Sequence, residues 1–98
     1  MIKIKRIYQG FGRGSPGFNV KIIVVDEGRE IAYHSWPNVN GPVSRGAFRN
    51  LRKEWYEDLE AKICREHNVD PDSSHYLTAE IQIPREEWEK FLEKYKKQ

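Results

Sequence analysis

Ninety-eight residues leave room for one domain with a single modest core, and 38% hydrophobic residues, with three Trp, four Phe and five Tyr, fill that core and exclude a wholly disordered chain. The longest apolar run, "IIVV" at 22–25, is far too short to span a membrane, and the alternating charges of the first eight residues do not make a signal peptide. The net charge of +2 conceals a strong polarity: residues 1–53 hold ten bases against three acids (+7), whereas residues 54–98 hold seven against twelve (−5).

Along the chain, Ile2 and Ile4 alternate with Lys3 and Lys5, the period of a half-buried strand over residues 2–8. The stretch "GFGRGSPGF" (10–18) then holds four of the seven glycines. Phe18, Val20, Ile22 and Val24 alternate with Asn19 and Lys21 to give a second strand. "DEGR" (26–29) is a hairpin turn, with Gly28 able to take a positive φ, and a third strand runs from Glu30 to Trp36, closed by Pro37. After the loop "PNVNGPVSRG" (37–46), Ser44 is placed as the N-cap of a helix over 45–67. Its apolar stripe is Phe48, Leu51, Trp55, Leu59 and Ile63, with Lys53–Glu57 and Asp58–Lys62 as supporting pairs and Asn68 as the left-handed residue beyond it. A fourth strand is expected from Tyr76 to Ile83. A last helix begins at Pro84, carries Trp88, Phe91, Leu92 and Tyr95, and frays at "KYKKQ". The pattern predicts one α+β domain over residues 1–98, in the order β-β-β-α-β-α. Its antiparallel meander sheet has two amphipathic helices packed on one face. The fourth strand fits beside either the first or the third.

Three basic features carry the functional expectations. The glycine stretch satisfies G-x-G-x-x-G at Gly12, Gly14 and Gly17, but it opens a strand and not a helix, so the dinucleotide reading fails. What remains is a pliable hairpin tip presenting Arg13. Secondly, Arg45, Arg49 and Arg52, with Lys53 beside them, fall on one face of the first turns of the predicted helix. Cations there oppose the helix dipole and so point to an anion site, unless acids from elsewhere pair with them. Thirdly, Lys3, Lys5 and Lys21 share one sheet face next to a strand bearing Tyr33, His34 and Trp36. Arg6 belongs to the same basic amino-terminal segment.

Metal and catalytic readings are weaker. Cys64, His67 and His75 are too few for a structural zinc site, and "DPDSSH" (70–75) lacks the Gly and Glu of a calcium loop. His34 has no acid or second His at a readable spacing, so no enzyme and no cofactor is expected. The primary expectation is therefore a small cytoplasmic protein that binds DNA or RNA with little sequence preference, as a monomer or homodimer. Lys3, Lys5, Arg6, Arg13, Lys21, Arg45, Arg49, Arg52 and Lys53 would contact phosphates. The alternative is a small accessory protein, of viral, plasmid or host origin, whose charge polarity steers it to a protein partner. A lone cysteine agrees with a reducing compartment, and the wealth of Lys, Arg and Glu leans towards a thermophilic source.

Overall fold

Period-two alternation is realised in a five-stranded antiparallel sheet of order β4-β3-β2-β1-β5 in the computed structural model, which describes residues 1–37, 39–72 and 77–97. The elements are β1 (Ile2–Gln9), β2 (Asn19–Asp26), β3 (Arg29–Pro37), β4 (Val43–Gly46), a 3₁₀ turn (Ala47–Asn50), α1 (Glu54–Glu66), β5 (Leu77–Ile83) and α2 (Arg85–Tyr95). The expected α+β architecture is present, with both helices on one face. Tyr76, the expected first residue of the last strand, and His75 lie outside the described residues. The last strand pairs with β1 (Ile2↔Ile83, Ile4↔Ile81), which gives β1 a neighbour on each side.

On the inner face, Ile2, Ile4 and Tyr8 of β1, Val20, Ile22 and Val24 of β2, and Ala79, Ile81 and Ile83 of β5 are buried. They pack under Trp55, Leu59 and Ile63 of α1 and Trp88 and Tyr95 of α2. Phe48 stacks on Trp55 with ring centroids 4.1 Å apart and meets Trp88 edge-on, so the 3₁₀ turn joins the two helices. The outer face alternates charged residues with half-buried Ile7, Ile23, Val25 and Tyr33. The β2–β3 hairpin turns through Glu27 (φ 50°) and Gly28 (φ 78°), both left-handed as a tight two-residue turn requires. Beyond α1, Asn68 is left-handed at φ 54° and Val69 N–H donates to the Cys64 carbonyl at 2.9 Å, closing the helix as expected.

The long helix does not begin at residue 45. Residues 43–46 instead form β4, pairing Tyr33↔Arg45 and His34↔Ser44, and Ser44 caps nothing. Gly46 explains the difference. It sits at φ 66°, ψ −138°, and a Cβ there would lie 2.4 Å from the Ile31 carbonyl oxygen. Helical backbone is excluded, and only glycine allows this close approach of β4 to β3. Leu51 is extended and bridges to Lys96, so α1 starts at Glu54 with Glu54 and Glu57 in its first turn, where acids suit the dipole. Of the two expected helix pairs, Asp58–Lys62 is replaced: Lys62 reaches Glu66 and Glu87 at 3.5 Å each, while Asp58 accepts a hydrogen bond from the Tyr95 hydroxyl.

Gly46→Ala is expected to lower unfolding free energy by about 3 kcal/mol through backbone strain and the clash with Ile31. Gly14→Ala, where a Cβ meets open space, costs clearly less. Denaturant titrations of both variants check the ranking.

Candidate functional site

The nine predicted contact residues fall into three groups. The first is taken up by carboxylates of the second half. Arg6 is in phase with Ile2, Ile4 and Tyr8 and is fully buried. Its Nε donates to Glu60 Oε2 at 2.8 Å and its Nη2 to the Pro71 carbonyl at 3.0 Å. Arg13 does not project from a free tip. It folds back so that Nη2 donates to Glu60 Oε1 and Nε to Asp72 Oδ1 at 3.0 Å. The Tyr56 hydroxyl donates to Glu60 Oε2 at 3.0 Å, and burial pushes its pKa up. The glycine loop is itself organised: Ser15 N–H and its hydroxyl both donate to the Gly12 carbonyl, at 3.2 and 2.8 Å. Acids of the second half thus neutralise Arg6 and Arg13, and neither is free for a polyanion.

The second group lies on the outer sheet face. Lys3, Lys5 and Lys21 point there, and Arg45 joins them, its guanidinium 4.1 Å from the centroid of Tyr33. Lys5 is 3.9 Å from Glu80. Of the expected aromatics only Tyr33 is on this face; His34 and Trp36 point inwards. The arginine row is therefore split, with Arg45 on one face of the sheet and Arg49, Arg52 and Lys53 on the helix side.

The third group gains partners that no sequence pattern signals. The carboxy-terminal segment, expected to fray, is tied to the segment preceding α1. Arg52 N–H donates to the Tyr95 carbonyl at 2.7 Å, Lys97 N–H to the Asn50 carbonyl at 3.0 Å, and Arg52 Nη2 to the Lys94 carbonyl at 2.6 Å. Arg52 and Lys94 also lie near the Tyr95 ring, at 5.6 and 5.2 Å. Lys94, Lys96 and Lys97 thereby join Arg49, Arg52 and Lys53 in one exposed cationic patch. Among the described residues, none of these six makes an ion pair with a carboxylate, although Glu93 lines the same surface.

Beside this patch a cavity of about 360 Å³ opens between β3, β4 and α1. Arg49, Lys53 and Lys97 edge it, and Trp36, Phe48, Trp55 and Tyr56 give it aromatic walls. His34 and Ser44 supply its polar surface, joined by a 2.6 Å hydrogen bond between His34 Nδ1 and Ser44 Oγ. His34 Nε2 is buried with no hydrogen-bond partner among the described residues. Burial lowers the His34 pKa to about 4, so the ring is neutral at physiological pH. A second depression of about 410 Å³ shares Trp36 and Tyr56 with this cavity and is lined by Arg13, Glu57, Glu60 and Asp72, whose carboxylates make it unfavourable to anions. Cys64 is buried, and His67 Nε2 lies 2.7 Å from the Glu80 carbonyl. Among the described residues no three His, Cys, Asp or Glu side chains cluster to hold a metal, and no helix is long and apolar enough to cross a membrane.

Compared with protein-family models, curated proteins and solved structures, the chain matches none.

Two outcomes follow for stability. Glu60→Gln leaves two arginines short of their shared carboxylate and should cost about 3–5 kcal/mol in denaturant unfolding, with Arg13→Ala costing less because its side chain is one-third exposed. For His34, the unfolded ring titrates near 6.5 and the folded one near 4, so the unfolded chain binds the extra proton between these values. Stability from this group is therefore complete above pH 6.5 and falls by roughly 3 kcal/mol as pH drops to 4. Urea titrations at pH 7.5 and 4.5 should show a smaller loss for His34→Phe than for the wild type.

Proposed function

We propose that this protein binds nucleic acid, DNA or RNA, by seating the phosphate backbone on the patch formed by Arg49, Arg52, Lys53, Lys94, Lys96 and Lys97. The observation carrying this reading is the convergence of those six exposed cations from two distant segments, with no carboxylate partner among the described residues. Like charges repel, so a fold that draws six of them together with only Glu93 beside them among the described residues gains most when a polyanion covers them. The arginines suit phosphate oxygens through their forked donors, while the lysines act as mobile point charges. The bridge Leu51↔Lys96 and the backbone bonds around it hold the two segments rigidly. The ordering cost on binding then falls mainly on side chains. Contacts of this kind fix position without reading sequence, which agrees with sequence-tolerant binding.

A second reading, binding of a protein partner, draws on the outer sheet face. There Ile7, Ile23, Val25 and Tyr33 remain half-buried beside Lys3, Lys21 and Arg45, and Val43 on the short edge strand is 46% exposed. A stable complex that survives nuclease treatment would favour this reading.

The discriminating measurement is fluorescence anisotropy on labelled oligonucleotides over a range of salt. Replacing Arg49, Arg52 and Lys97 together by Ala should weaken binding by more than about tenfold and reduce the slope of log K against log salt by about 2, at roughly 0.7–0.9 per lost phosphate contact. Replacing Lys3 and Lys21 should change the slope less. Absence of binding at low salt, or an unchanged slope in the triple variant, would refute the proposal.

A further inference from the structure

The cavity beside the cationic patch has a chemistry that phosphate binding does not use. Its one half-exposed aromatic wall is Trp36 of β3, and this ring is fixed in orientation. Tyr56 packs against it with centroids 4.0 Å apart, and His34 meets it edge-on at 5.0 Å. His34 is held in turn by Trp55 at 4.9 Å and by Ser44. A planar ligand entering the cavity therefore meets a stacking surface that need not reorganise.

Next to that surface stand Ser44 Oγ, a donor and acceptor, and the buried His34 Nε2, which has no hydrogen-bond partner among the described residues. The Ser44 hydroxyl can donate to, or accept from, a ligand that carries ring nitrogens or an exocyclic amide. The neutral imidazole orients the Ser44 hydroxyl without adding charge to the apolar surroundings. At the mouth, Arg49, Lys53 and Lys97 bring positive charge to the same opening. A flat heterocycle with hydrogen-bonding edges, attached to phosphate, satisfies all three elements together. At about 360 Å³ the cavity lies at the lower end of the range for small-ligand sites, large enough for a base and its sugar. The neighbouring depression offers such a ligand less, since its Arg13 is already paired with Glu60 and Asp72.

We infer that this cavity seats a single unstacked nucleotide, its base on Trp36 against Ser44 and His34 and its phosphate on Arg49, Lys53 and Lys97. The inference rests on the nucleic-acid reading and sharpens it: the strand must be single or locally opened, because a paired base cannot enter.

The test compares the wild-type protein on a single-stranded oligonucleotide and on an abasic strand of the same length and phosphate count. One stacked base should make the intact strand bind about 5- to 150-fold more tightly, with equal salt slopes for both strands. Trp36→Leu should bring the intact strand down to the abasic level while keeping the salt slope; the wild-type comparison stands even where that variant fails to fold. In NMR titrations, the Trp36 indole and His34 ring signals should move with the intact strand and stay unmoved by the abasic one. A saturable shift with a nucleoside monophosphate, absent with ribose phosphate, would extend the same seat to free nucleotides. A shift with the strand alone would restrict the seat to a nucleotide within a chain. Equal binding of intact and abasic strands with a steep salt slope would overturn the base seat and leave phosphate binding standing. No binding of either strand would overturn both.

Discussion

The carboxylate of Glu60 is the point on which the helix side of this fold closes. It is buried in α1, yet it accepts hydrogen bonds from Arg6 of β1, from Arg13 of the glycine loop and from its own neighbour Tyr56. Removing a carboxylate and a guanidinium from water is costly, and the cost is tolerable only where the lone pairs and N–H groups are met. Here almost all are, since Arg6 also reaches the Pro71 carbonyl and, among the described residues, only its Nη1 lacks a partner. One acid therefore fastens β1, the first hairpin loop and the turn after α1 to one another. A pliable run of glycines becomes a fixed strap over the end of the sheet.

This closure also decides which cations are left for other work. The acids of the second half of the chain are spent unevenly: Glu60 and Asp72 take up Arg6 and Arg13, while Arg85 of that half turns instead to Asp26 at 2.7 Å. The patch around Arg49 and Lys97 receives no such partner among the described residues. Charge polarity along the chain is converted by folding into a different polarity in space. Basic residues from the acidic half complete the cationic surface, while Arg6 of the first half is buried and Arg13 is taken up by acids.

Much of the architecture is legible because it follows from short-range pattern. Alternation marks the strands, the spacing of Trp55, Leu59 and Ile63 marks the long helix, and Asn68 marks its end. The same alternation places Arg6 in register with Ile2, Ile4 and Tyr8, so its burial follows from phase. Its charge argues the other way, and only the acid waiting at Glu60 reconciles the two. The spacing misplaces the start of the long helix because Phe48 and Leu51 extend the helical period upstream, whereas Gly46 is needed to bring β4 against β3. That need is tertiary and leaves no local trace beyond the glycine itself. The cavity is illegible for a similar reason. Trp36 and His34 come from one strand, Ser44 from another and Tyr56 from a helix, and only the pairing His34↔Ser44 brings them together. The placement of Lys94, Lys96 and Lys97 beside Arg49, Arg52 and Lys53 follows from the bridge Leu51↔Lys96, which no periodicity announces.

The placement of β5 beside β1 has a kinetic side. Pairing Ile2 with Ile83 closes a loop that contains most of the chain, and the entropy of closing it is lost before the contact rewards it. The first three strands can zip together through short connections, but they leave β1 as a bare edge, apolar on its inner side and basic on its outer one. Until β5 arrives, that edge is open to any other extended chain, including another copy of itself. Lys3 and Lys5 place two like charges along that edge, and like charges opposed across a pairing of two β1 strands disfavour it. Glu80, which reaches Lys5 once β5 is seated, gives the correct strand a complement that a second β1 lacks.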